Sequence, residues 1–197
     1  MPIRRNTNCS AGWYIIRNDK FQPKVRGYEF RGGILMSAVK RNEKLAFYGV
    51  KGENDAVTYH RMKGFTEMSG AKNPIEYARR YVDEPFEQSD VVGYSPSFTY
   101  GFDQHKGNEV HNDIIKIHND ELVLDEAVRE IIFVDLTSGD ETAGYDAAKR
   151  EFVVIADTEG GSVDAYTYTG SLKVKGERIS GKAKSSDNWM TCTFEEE

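Results

Sequence analysis

From Tyr94 to Asp103 large and small residues alternate without interruption. Tyr94, Pro96, Phe98, Tyr100 and Phe102 fall on one side of the alternation, and Ser95, Ser97, Thr99, Gly101 and Asp103 on the other. Successive side chains of an extended chain point to opposite faces, so this stretch predicts a strand with one aromatic face and one small polar face. The aromatic face has the bulk to build a core. The small face predicts a sheet whose other side meets water or another subunit.

Lys44–Tyr48 and Ala56–His60 read as short strands on either side of the turn-rich stretch Gly49–Asp55. Lys63–Lys72, with Gly64, Ser69 and Gly70, reads as a loop. At Asn73-Pro74-Ile75-Glu76 two readings stand. Asn, Pro and Glu there suit the start of a helix. The alternation of Tyr77, Arg79, Tyr81 and Asp83 with Ala78, Arg80 and Val82 favours a strand, with Arg79 and Arg80 on opposite faces. Val110, Ile114 and Ile117 recur at helical spacing behind Asn108, a good N-cap, and predict one helix over Asn108–His118. Glu130–Leu136, Glu151–Ala156, Val163–Tyr168, Ser171–Lys175 and Met190–Phe194 read as strands. Turns are expected at Ser138–Asp140, Glu159–Gly161 and Gly170. The expected class is mainly β, a β-sandwich or barrel with one flanking α-helix at about 108–118. There is no solenoid-period repeat and no low-complexity linker.

A chain of 197 residues, 39% hydrophobic and 29% charged, has the composition of a globular protein. At this size it buries roughly 70% of the surface of its unfolded chain, enough to fold without a metal or disulfide staple. No apolar run approaches the roughly 20 residues of a membrane span. Cys9 and Cys192 show no metal spacing and make no disulfide framework.

Charge divides the chain. Seven of the 26 Lys/Arg and two of the 32 Asp/Glu fall within residues 1–35, so residues 36–197 carry 19 cations against 30 acids, a net of −11. Attraction to DNA or anionic lipid needs the opposite sign, which argues against sequence-specific nucleic-acid binding. The basic segment 1–35 lacks the apolar core and cleavage site of a secretory signal. Arg31-Gly32-Gly33 can be encoded by purine-rich triplets that spell a bacterial ribosome-binding sequence, and Met36 follows two codons later. This arrangement predicts that translation starts at Met36, with 1–35 an upstream extension and 36–197 the domain. The other reading is a genuine N-terminal arm.

Candidate chemistry is sparse. His105, His111 and His118 form one cluster with Asp103, Glu109 and Asp113. His111 and His118 are seven residues apart, about 10 Å along a helix, too far to share a metal. They are expected to be surface or interface histidines. The acidic runs Asp83-Glu84 and Glu195–Glu197 have no His or Lys obviously set against them along the sequence and are expected to be solvated charge. Gly32-Gly33 and Gly160-Gly161 lack the frame of a phosphate-binding loop. Cys192 reads as a small hydrophobe on a terminal strand. No catalytic residue, cofactor or metal is expected. Arg79-Arg80 is the one pair of adjacent arginines in the acidic body and is a candidate for an ion pair with a neighbouring subunit.

From Val57 onward the chain resembles the major tail tube proteins of long-tailed, non-contractile bacteriophages and prophages, of the type common in Gram-positive hosts. Tyr59–Thr66, Lys72–Tyr77, Arg80–Glu84 and Asp90–Pro96 carry the likeness, followed by Phe102-Asp103, the 108–117 helix and Asp164–Gly170 leading into Lys173–Glu177. The resemblance does not cover 1–35 and implies a start near Met36. The resemblance implies a β-sandwich or barrel subunit, six copies of which form a ring. Rings stack into a hollow tube in the virion tail through which DNA leaves the capsid. It also implies terminator, tape measure and baseplate partners, no membrane, and synthesis in the host cytoplasm. An acidic body would let DNA slide without sticking. Ser95, Ser97 and Thr99 would line the lumen or meet a neighbouring sheet, and Met62–Asn73 and 84–93 are the long segments available for ring-to-ring contact. The competing readings are an injected or secreted β-barrel effector or binding module, with the tube protein of a contractile injection or phage-tail-like particle as its nearest relative, and a small metal-dependent hydrolase using the His105–His118 region.

Overall fold

The computed structural model describes residues 37–52, 56–161 and 163–197. The expected start at Met36 concerns residues that lie outside these. A 3-10 turn at Arg41–Glu43 leads into β1 (Lys44–Lys51), β2 (Val57–Arg61) and β3 (Phe65–Ala71), then β4 (Pro74–Arg79), β5 (Gln88–Tyr94) and β6 (Ser97–Asp103). The helix α1 (Glu109–Asn119) is followed by β7 (Val128–Asp140), β8 (Gly144–Gly161), β9 (Tyr166–Val174), β10 (Ile179–Lys184) and β11 (Thr191–Glu196). The fold is mainly β with one α-helix, as the alternation predicts.

Nine strands make one sheet in the order β10-β11-β2-β1-β7-β8-β9-β6-β3, and β10 also pairs with β8. That extra pairing closes β10, β11, β2, β1, β7 and β8 into a ring. Beyond β8, the strands β9, β6 and β3 continue as an open wing. Long β8 makes both possible. Its residues 145–149 pair with β10, while from Phe152 onward it pairs with β9.

The alternation within each strand divides the core. Phe47, Ile132, Ala147, Ala183 and Cys192 pack on the side enclosed by the ring. Their neighbours Tyr48, Ile131 and Phe152 point the other way and join Tyr100, Phe102 and Leu172 of the wing. Helix α1 covers this second face with Val110, Ile114 and Ile117. The Asn108 side chain accepts hydrogen bonds from the Val110 and His111 amides, the cap that the sequence predicts.

Several expectations are corrected. The strand expected over Tyr94–Asp103 is two strands. Pro96 lacks the N–H that a continuous ladder needs, and the break at Ser95-Pro96 sends Tyr94 into a different pairing, where it is 60% exposed. The expected loop Lys63–Lys72 is largely β3, because its polar residues occupy the solvent face of a wing edge strand paired with β6. Gly170 is not a turn but the middle of β9. A Cβ there would lie 2.3 Å from the Ile155 carbonyl oxygen and 2.4 Å from the Tyr100 hydroxyl, so glycine lets an aromatic ring cross the strand. Gly160-Gly161 ends β8, and the β7–β8 turn is at Glu141–Ala143, just past Ser138–Asp140. Strand β10 has an unremarkable sequence and was not expected.

Candidate functional site

Among the described residues, strands β4 and β5 pair only with each other. Every residue of β4 is exposed, and so is every residue of β5 except the half-buried Gly93. They form a two-stranded arm, registered Tyr77 to Asp90 and Arg79 to Gln88, with a tip over residues 80–87. Its root is braced. Asn73, with φ of 45°, donates through its side-chain amide to the Ser95 carbonyl at 3.0 Å and to the Ser97 hydroxyl at 2.9 Å, and its own carbonyl accepts from the Ser95 amide at 3.0 Å. Ser95 and Ser97 therefore sit at the arm's root.

The arm carries Ile75, Tyr77, Tyr81, Phe86, Val91, Val92 and Tyr94 in exposed positions, Phe86 at 79%. A lone hairpin is marginally stable in water, and contiguous exposed apolar surface marks a contact with another protein. The strand reading of 73–83 holds as far as Arg79, whose guanidinium reaches the Tyr77 hydroxyl at 3.2 Å and lies 5.5 Å over the Tyr81 ring. Arg80 falls just past the end of β4, so the two arginines are not opposite faces of one strand.

Thr99 lies on the wing, exposed, between Ser69 of β3 and Ser171 of β9. Thr169 continues this face and shares a 2.6 Å hydroxyl contact with Thr158 of β8. The small polar pattern read in one strand thus spans the wing. Glu67, Asp103 and Lys173 are the charges of the same face. The outer edge of β3 has no strand partner among the described residues.

The histidines are not all at the surface. His111 is fully buried. Its Nδ1 accepts from the His105 amide at 3.2 Å, so its Nε2 carries the proton and donates to the Lys63 carbonyl at 2.9 Å. Gly64, with φ of 77°, makes room, since a Cβ there would lie 2.7 Å from the His105 ring. Burial lowers the pKa of His111 and also that of His118, whose Nε2 is 3.0 Å from the Tyr100 hydroxyl. Both are structural ties between α1 and the sheet. Among the described residues no three His, Cys, Asp or Glu side chains are grouped to hold a metal. Burial pushes the Cys192 thiol up to about 12, away from nucleophilic use.

The sequence gives no sign of a further tie. Arg129 is bidentate to Asp113, Nε to Oδ2 at 2.7 Å and Nη2 to Oδ1 at 3.0 Å, and Tyr48 donates to the same carboxylate at 2.7 Å. Arg129 also donates to the Glu126 and Val128 carbonyls. Helix, β1 and β7 meet in this one network.

No protein-family model and no curated protein matches the sequence. The structure overlays a chain of the SPP1 tail tube, determined by solid-state NMR and cryo-EM, with a TM-score of 0.52 over 75% of this chain and 81% of that chain, at 12% identity. This is a tail tube fold. Chains of an empty gene transfer agent tail (TM-score 0.49, 12% identity, 72% of this chain and 97% of that one) and of an extracellular contractile injection system's sheath–tube complex (0.42, 14%, 75% and 94%) match less well. The likeness is one of fold. Within this fold the arm is the exposed apolar surface and the wing the small polar one. No helix among the described residues is long and apolar enough to cross a membrane.

Proposed function

We propose that this protein is a structural subunit of a phage tail tube, of the non-contractile type that the sequence resembles. Copies join into rings, six to a ring, and the rings stack into the hollow conduit for DNA within the virion tail. The overlay on the SPP1 tail tube chain carries the reading. The exposed apolar arm supports it, because such a surface is stable only when covered. A head-to-tail contact repeated around a closed rotation makes a ring, and stacking extends it.

In this scheme the arm, with Arg79 and Arg80, is a subunit contact. The wing, with Thr99 at its centre, faces the lumen or a neighbouring sheet, and its hydroxyl surface offers passing DNA few cations to hold. The protein works by assembly rather than catalysis, with itself and the other tail proteins (terminator, tape measure, baseplate) as partners.

Negative-stain microscopy of the purified protein tests this. Rings or tubes are expected, and monomers alone at high concentration refute it. Arg80→Glu is expected to fold normally and lose assembly; tubes from that variant would remove Arg80 from the contact.

A further inference from the structure

Between the wing strands β3 and β6 and the ring strands β1, β7, β8 and β10 lies a groove of about 940 Å³. Its floor includes Ala46, Phe98, Phe133 and Ala148, with Phe98 and Phe133 stacked 4.8 Å apart. Its rim is charged. The rim acids are engaged: Asp135 with Lys44, and Asp146 and Glu197 with Lys182. The cations Arg41, Lys72, Arg150 and Arg178 have no carboxylate partner among the described residues. The groove is an aromatic floor within a ring of uncompensated positive charge.

The arm is its complement. Around its tip four carboxylates, Asp83, Glu84, Glu87 and Asp90, outnumber the two cations Arg79 and Arg80 about exposed Phe86 and Val82, and none of these carboxylates meets a cation among the described residues. We infer that the arm tip of one copy docks in the groove of a second copy, Phe86 on the aromatic floor and the tip carboxylates against Arg41, Lys72, Arg150 and Arg178. This deepens, and rests on, the self-assembly reading. The arm roots at Asn73 and Ser95, next to the rim residues Lys72 and Pro96, and stands free of its own groove, so the occupant comes from another chain. The other segment of this chain that could fill the groove, residues 1–36, is basic and would meet like charge. Complementary charge sets register and partner choice in such contacts, and a central aromatic supplies much of the affinity.

Disulfide trapping in the full chain tests this. One preparation carries Pro85→Cys at the arm tip, the other Ser180→Cys at the groove, and the two are mixed under mild oxidation. A mixed interchain disulfide between positions 85 and 180 is expected, identified by mass spectrometry and absent from either preparation alone. Adding Arg178→Glu is expected to cut its yield about tenfold, and Glu87→Arg on the other chain to restore it. Tubes in the microscope without the mixed disulfide overturn the docking and leave the tube reading standing. Monomers without it overturn both. A disulfide from Cys9 to position 180 would seat the N-terminal segment in the groove and overturn the docking as well.

Discussion

Asp113→Ala strikes the buried ion pair with Arg129 that joins the helix to the sheet. The carboxylate and guanidinium side chains are 11% and 6% exposed, and the pair is bidentate, so removing the acid strands a buried cation and the Tyr48 hydroxyl together. Breaking a buried pair of this kind costs about 3–5 kcal/mol, out of a total stability of about 5–15 kcal/mol. With a urea m-value of about 2 kcal/mol/M, the midpoint should fall by roughly 1.5–2.5 M. The loss comes from the orphaned partners rather than from the attraction itself. Combining Asp113→Leu with Arg129→Met should therefore recover much of it, and adding Tyr48→Phe should recover more by removing a hydroxyl whose burial unpaired costs about 1–3 kcal/mol. Urea melts followed by circular dichroism read all three variants. A midpoint shift below about 0.5 M for Asp113→Ala, or a double variant less stable than the single one, refutes the reasoning.

Other predictions are simpler to state. His111 is held neutral, so its folded pKa lies below the ordinary 6.5 and the unfolded chain binds the extra proton. Stability is then full above pH 6.5 and falls as the pH drops below it, by up to about 1.4 kcal/mol per pH unit for this one group, until the folded pKa is passed. Melts between pH 7 and 5 should show that slope, and His111→Gln should flatten it by about one proton. Gly170→Ala places a methyl against a backbone oxygen that cannot yield, and is expected to cost about 3 kcal/mol, the upper end for overpacking. A thermal midpoint equal to wild type would contradict it. The natively expressed protein should have the mass of a chain starting at Met36; a species that includes residues 1–35 ends that reading.

Much of the fold is legible in the residues because local signals agree there. Asn108 and the Val110, Ile114, Ile117 spacing specify the helix, and Phe98, Tyr100 and Phe102 specify the inner face of the wing. The arm was only half visible. Pro74 to Arg79 reads as strand or helix locally, and the choice is made by pairing with β5, a segment whose own sequence resembles a loop. Gly170 misleads because glycine marks turns far more often than ring crossings. The Asp113–Arg129–Tyr48 network and the cation-rimmed groove were invisible for a different reason. Their members lie far apart in sequence, and single charges carry no periodicity to announce a partner.

The ring of six strands is not equally fastened all round. Strand β7 meets β8 over ten residue pairs, whereas β2 meets β11 over two, Tyr59 with Cys192 and His60 with Thr191. That junction is a seam. Amides of β11 facing it should exchange with solvent well before those of β7, since opening there breaks few bonds and leaves the helix-covered core untouched. Where bending of an assembly strains a subunit, a closed ring with one weak joint gives way there while its remaining staves stay rigid.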